Sequence, residues 1–341
     1  MLVSDFDYIL PPELIAQQPV EPRDSSRLLV FDRKADKLSD RFFYELDTLL
    51  NRDDLLVFND TKVIPARLFA EREGSQGGKI EIFLLKQTGV SQWECLARPG
   101  KRVKPGMKLR FFKDVQAEVV GITEGGERIL KFPADLDFRS WLLEVGETPL
   151  PPYIHQKLAD SDRYQTIYAE KEGSVAAPTA GLHFTKELLE RLKKKGVKTG
   201  FLTLHVGIGT FRPVKTEEIE EHIMHPEFFV LADELVQLIE QTKKAGNRVI
   251  AVGTTVVRVL ESQAAKAGRL KSGSGETAIF IYPGFKFQVI DAMITNFHLP
   301  KSTLLMLVSA FTGRDNMLRC YRHAVEERYR FFSFGDAMFI K

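Results

Sequence analysis

The sequence predicts an α/β protein: a barrel-like α/β main domain over residues 1–61 and 150–341, with a small all-β barrel domain inserted over residues 62–149. Three observations carry this. After Pro152, apolar runs that end in short polar loops and lead into helices recur four times. Between Arg67 and Leu150 the apolar runs are short, lie about ten residues apart and are broken by Gly, Pro and Asp, as in a small barrel or sandwich. The 341 residues also exceed the roughly 250–300 at which one core stops growing.

In chain order, LLVF at 28–31 reads as a short strand, and LLVFN at 55–59 as a buried strand entering Asn59-Asp60-Thr61. The barrel strands are ARLFAE, KIEIFLLK, WECLA, KLRFF, AEVVGI and RILKF, with hairpin turns at 74–78 and at Gly125-Gly126. Pro149, Pro151 and Pro152 mark its exit. The first later unit is a strand at 175–177, the loop PTAGLHF and a helix over 186–195. The next is a strand at 201–205, the loop HVGIGTFRP and a Glu-rich helix from Thr216. A strand at 248–252 then leads through GTT into a helix over 255–267. A strand at 291–294 leads through TNFHLPKS into the helix of LLMLVSAF, and residues 279–282 add one more strand.

Composition bounds the function. Hydrophobic residues are 44% and charged residues 28%, as in an ordinary globular protein. A net charge of +2 neither demands nor excludes a nucleic-acid partner. Cys95 and Cys320 are the two cysteines, too few for a disulfide framework or a zinc pattern, so a reducing cytoplasm is expected. The N-terminus has acids and prolines where a signal peptide needs basic and then apolar residues, and no apolar run reaches the 18–20 or so residues of a membrane span. A cytoplasmic monomer with no membrane contact is expected.

In α/β domains ligands bind at the carboxyl ends of strands. PTAGLHF, HVGIGTF, GTT and TNFHLPKS all lie there and all carry polar groups. GTT and PKST could place free helix amides against an anion, although Thr254 and Ser302 could simply cap their helices. His183, His205 and His298 each sit on such a loop and can be neutral near pH 7, as a general base must be; a histidine that only fixes its loop is the plainer reading.

Other motifs fail their own requirements. PKST is not a phosphate loop, because Pro300 stands where a glycine is needed. GSGETA at 273–278 follows a helix instead of a strand and reads as a flexible loop. His222, His225 and Glu227 could share a metal, but Pro226 breaks any helix there and no metal is expected. Residues 98–113 hold seven Lys or Arg and no acid, a concentrated footprint for phosphates, with Trp93, Phe111 and Phe112 as stacking surface or barrel core.

Six segments together carry a resemblance: RDSSRLLVFDR at 23–33, FNDTKVIPARL at 58–68, APTAGLHF at 177–184, TLHVGIGTFRPV at 203–214, ETAIFIYPGF at 276–285 and TNFHLPKSTLLMLVSAF at 295–311. They resemble the S-adenosylmethionine:tRNA ribosyltransferase-isomerase family over essentially the whole chain. The resemblance implies transfer and isomerisation of the ribosyl part of S-adenosylmethionine onto 7-aminomethyl-7-deazaguanine at the wobble position of tRNA. Epoxyqueuosine-tRNA forms, and adenine and methionine leave. It implies no metal or redox cofactor, S-adenosylmethionine being a consumed substrate. The expected catalytic residues are His298, His183, His205 and Asp60, with His298 favoured as base. The expected substrate-binding residues are Asn59, Thr61, Arg67, Arg212, Thr254, Thr255, Tyr282, Asn296 and Lys301. The expected tRNA contacts are Arg98, Lys101, Arg102, Lys104, Lys108 and Arg110. A tRNA-binding module built on the basic barrel, or a metal hydrolase built on His222 and His225, are the readings from other classes.

Overall fold

A computed structural model of the chain describes residues 1–72, 78–156, 158, 160–207, 214 and 216–341. Expectations for the 74–78 turn, apart from Gly78, and for Arg212 fall outside them. In chain order the strands before the barrel are β1 (Arg27–Asp32), β2 (Lys37–Phe42) and β3 (Leu55–Asn59). After β4 (Thr61–Val63) come β5 (Arg67–Arg72), β6 (Ile80–Gly89), β7 (Gln92–Arg98), β8 (Lys108–Phe111), β9 (Gln116–Ile122) and β10 (Arg128–Lys131). The later strands are β11 (Lys171–Ser174), β12 (Lys198–Leu204), β13 (Glu227–Leu231), β14 (Val249–Val252), β15 (Gly273–Thr277), β16 (Ala292–Asn296) and β17 (Ala337–Ile340). The helices are α1 (Leu46–Leu49), α2 (Phe138–Val145), α3 (Lys186–Lys195), α4 (Asp233–Lys244), α5 (Thr254–Ala267), α6 (Thr303–Thr312) and α7 (Arg314–Glu326).

The chain divides into two compact units, one of Met1–Lys62, Pro151–Lys171 and Ala177–Lys341, the other of Val63–Leu150 and Glu172–Ala176. The first is a nine-stranded mixed sheet in the order β15-β13-β12-β3-β14-β16-β17-β1-β2. Its centre is parallel: β3 runs parallel to β12 and β14, and β14 to β16. That explains LLVFN: a central parallel strand is covered on both faces, and all five residues of β3 are buried. β13, farther out, alternates buried and exposed residues. The core on one side joins Phe58, Phe184, Ile250, Ile294 and Phe339.

Helix boundaries follow from capping. Thr185 accepts the Leu188 N–H at the start of α3, and Gly196 ends it at φ 91°. Ser302 caps α6 through the Leu305 N–H. α5 starts at Gly253, whose φ of 94° suits glycine and which has no side chain to cap with.

The second unit is a closed antiparallel barrel, β10-β7-β6-β5-β8-β9, one of the two architectures the ten-residue spacing allows. Leu68, Ile82, Leu84, Leu109, Val119 and Leu130 fill it, and Trp141 of α2 packs on Phe111 and Phe132. The turn expected at Gly125-Gly126 joins β9 to β10.

Three expected elements differ. Residues 175–177 are not a strand; β11 precedes them. Residues 279–282 are not a strand either, and the segment read as a loop is β15, paired antiparallel with β13. An edge strand needs only its backbone ladder, so GSGET shows no apolar period. The Glu-rich helix from Thr216 is a single 3₁₀ turn, Ile219–Glu221.

Candidate active site

A cavity in the first unit lies where the sequence placed ligands, at the carboxyl ends of the parallel strands. It holds about 730 Å³ of empty space, its mouth included, and is lined by residues 177–180, 253–255 and 295–299, with Tyr153 and Phe332 beside them. Two helix N-termini meet there. Ser302 caps α6 with its own side chain, while α5 starts at Gly253, so the first α5 amides are left for an occupant of the cavity.

His298, Asn296, Thr254 and Thr255 all line this cavity. His298 is 8% exposed and its backbone is pinned: its N–H donates to the Tyr321 hydroxyl at 2.8 Å, and its carbonyl accepts from the Tyr8 hydroxyl at 2.5 Å. Its Nε2 is 2.9 Å from the Thr295 hydroxyl, which can donate onward to the Asn296 carbonyl at 3.3 Å. In that arrangement Nε2 carries the proton and Nδ1 is the free base. Burial pushes the imidazole down to about 3, so it is neutral near pH 7.

His183 stands behind the wall. Asn296 Nδ2 is 3.1 Å from the Phe332 carbonyl, which can only accept, and this fixes which end of the amide is NH₂. The same NH₂ lies 3.1 Å from His183 Nε2, so Nε2 accepts and the ring proton is on Nδ1, 2.7 Å from Ser26 Oγ. The basic nitrogen of His183 is thus engaged by Asn296 and is not open to substrate. Burial, followed by Arg330 and Arg23, lowers His183 to about 3.

The other expected residues are placed elsewhere. His205 Nδ1 bonds the Thr61 hydroxyl at 2.7 Å and its ring stacks on Phe228; burial lowers its pKa, and it does not line the cavity. Asn59 reaches the cavity only through Thr255, 3.3 Å away, while its Oδ1 accepts the Thr61 and Leu204 N–H groups. Asp60, expected to be catalytic together with His298, is not among the residues that line the cavity. Successive residues at a strand end point to opposite faces, so Asp60 turns to the Thr203 hydroxyl at 2.6 Å. Its carboxyl is raised, by burial first. Lys301 pairs with Asp7 at 2.9 Å, and Tyr282 packs on Phe280; neither lines the cavity. Arg67 belongs to the barrel unit, where it pairs with Glu81 at 2.6 Å.

Sequence reasoning missed Tyr153 and Phe332, whose rings lie 4.8 Å apart beside the cavity. Phe332 has φ 70°, unusual for a bulky residue, and no local pattern announces that. Glu227 is not available to a metal: it forms a buried ion pair with Arg258 and accepts the Gly207 N–H at 2.8 Å. Among the described residues no group of three or more His, Cys, Asp or Glu could hold a metal ion, and no helix is long and apolar enough to cross a membrane.

In the barrel unit, β8 points Lys108 and Arg110 outward and Leu109 and Phe111 inward. Arg98, Lys101, Arg102 and Lys104 are also exposed, and Arg110 pairs with Glu71 at 3.3 Å. The aromatics divide: Phe111 is buried, Trp93 stacks on Phe138, and Phe112 is 67% exposed.

The two buried histidines make acid stability testable. Each ordinarily titrates near 6.5 and is held near 3 in the fold. Below pH 6.5 the unfolded chain binds the protons first, so each histidine should remove stability as pH falls from 6.5 toward 3, at up to about 1.4 kcal/mol per pH unit. Urea unfolding between pH 7 and 5 should show this, and His183→Phe should flatten the slope by about one proton. An unaltered slope in that variant would contradict it.

The family profile described as "Queuosine biosynthesis protein" matches residues 3–340. An S-adenosylmethionine:tRNA ribosyltransferase-isomerase of Acetivibrio thermocellus is 56% identical over 342 residues, covering 100% of both chains. One from Caldanaerobacter subterraneus subsp. tengcongensis is 54% identical over 338 residues, covering 99% of each. The crystal structure of an S-adenosylmethionine tRNA ribosyltransferase from Thermotoga maritima is similar at TM-score 0.58 and 45% identity, over 99% of this chain and 100% of that one.

Proposed function

The chain belongs to the queuosine biosynthesis protein family, and on that premise we propose that it moves the ribosyl part of S-adenosylmethionine onto 7-aminomethyl-7-deazaguanine at the tRNA wobble position. The product is epoxyqueuosine-tRNA, with adenine and methionine released. Full-length identity of 54–56% to two ribosyltransferase-isomerases is the observation that carries this reading. The cavity supplies its chemistry. A sulfonium acidifies the C–H bonds beside it, so a base of modest strength can take a proton from C5′. His298 is that base: neutral, buried, lining the cavity, with Nδ1 free when the Nε2–H donates to the Thr295 hydroxyl. The ribose then opens, loses adenine and recombines with the aminomethyl nitrogen. The methionine carboxylate suits the uncapped α5 amides.

Incubation with S-adenosylmethionine should release adenine only when the tRNA carries the aminomethyl base. A protein that binds tRNA and releases none would be the non-catalytic module instead.

No metal or redox cofactor takes part in this scheme, since the first step needs a base and not a Lewis acid. Activity should survive exhaustive chelation; loss restored by zinc alone would overturn the point.

The exposed basic face of the barrel unit is proposed to hold the tRNA backbone. Replacing Lys101, Arg102 and Lys104 with Ala should weaken tRNA binding and lower the slope of log K against log salt by about 2–3, with folding intact. The same affinity at low and high salt as the parent would leave these residues a solvated surface.

A further inference from the structure

Thr179 and Asn296 line the cavity side by side, and the network behind them decides what they offer a ligand. The Phe332 carbonyl and His183 Nε2 occupy both N–H bonds of the Asn296 amide. Its Oδ1 is therefore the atom left on the other side, and it accepts from the Thr179 hydroxyl at 3.1 Å. An amide oxygen cannot donate, so the single hydroxyl proton of Thr179 is committed to this bond. Thr179 Oγ keeps its lone pairs, and Asn296 Oδ1 keeps one. The wall thus presents two adjacent acceptors and no donor. Asn296 is 4% exposed, His183 4% and Ser26 1%, so the arrangement cannot turn over without breaking buried bonds.

We propose that this pair reads the vicinal diol of a ribose, each hydroxyl donating to one acceptor, and that His183 is a positioning residue that holds the amide the right way round. A diol matches adjacent acceptors; a carboxylate or phosphate would be repelled by them. The proposal rests on the reading of S-adenosylmethionine as the ribosyl donor.

The test is equilibrium binding, without tRNA, of S-adenosylmethionine and of its 2′-deoxy and 3′-deoxy analogues. In the parent protein each missing hydroxyl should cost about tenfold in affinity, as it leaves a buried acceptor unpaired. In Thr179→Val and in Asn296→Leu that discrimination should shrink toward one for the hydroxyl each residue reads. In His183→Phe it should weaken while the deoxy analogues bind as in the parent, a pattern that general loosening of the cavity would not give. Equal binding of all three ligands to the parent, or full discrimination in both wall variants, overturns the proposal alone. No binding of S-adenosylmethionine to the parent overturns the functional reading and the proposal with it.

Discussion

His298→Ala should lower turnover by about 10²–10⁴-fold, the usual contribution of a positioned base, while S-adenosylmethionine still binds. Of the three loop histidines, it alone lines the cavity. His183 has its basic nitrogen against the Asn296 amide, and His205 is turned toward Thr61. Exchange of the C5′ hydrogens with solvent, where the parent shows it, should vanish in the same variant. The pH profile gives a second check. Burial keeps the His298 imidazole neutral well below the ordinary histidine value, so kcat/KM should show no acid limb near 6.5 from this group. Asp60→Asn, by contrast, changes a carboxyl outside the cavity and should leave turnover near the parent's. Near-normal turnover in His298→Ala, with loss in Asp60→Asn, would mean that the base has been misplaced.

Arg258→Leu should cost about 3–5 kcal/mol of stability, read from denaturant unfolding, because it takes a buried guanidinium partner away from a buried carboxylate. Arg258 and Glu227 have side chains only 5% exposed each, and they form an ion pair. Arg258 belongs to α5, whose first residues line the cavity, and Glu227 also holds the Gly207 N–H. The pair therefore fixes the helix that bounds the site. Replacing both by Leu should cost much less than the sum of the single changes. A loss below about 1 kcal/mol for Arg258→Leu would show that the contacts Glu227 already makes besides Arg258, the Gly207 N–H among them, suffice to hold it.

How much of this was legible in the sequence depends on where each signal lives. Continuous apolar runs mark strands buried on both faces, so β3, β14 and β16 could be read within one or two residues. α3 was read to the residue because Thr185 and Gly196 punctuate it. The polar loops at the strand ends were visible for the same reason: they interrupt apolar runs. β15 was not, since an exposed edge strand is held by hydrogen bonds to β13 and needs no apolar period. The site itself was half legible. Asn296 ends a buried strand, and His298 and Thr254 come two residues after buried strands. Tyr153 and Phe332 enter from distant segments, and only the tertiary fold brings them there. The directions of Asp60 and Glu227 were also hidden, because composition shows a carboxyl group but not its partner. Thr203 and Arg258 decide them, from far along the chain.

The central claim is that the ribosyl carbons of S-adenosylmethionine, and not its methyl group, end on the tRNA. A donor labelled separately in the ribose carbons and in the methyl group tests it in one reaction. The ribose label should appear in the tRNA nucleoside, in step with adenine release, while the methyl label leaves with methionine. Methyl label on the tRNA, or ribose label retained with adenine as a nucleoside, would contradict it.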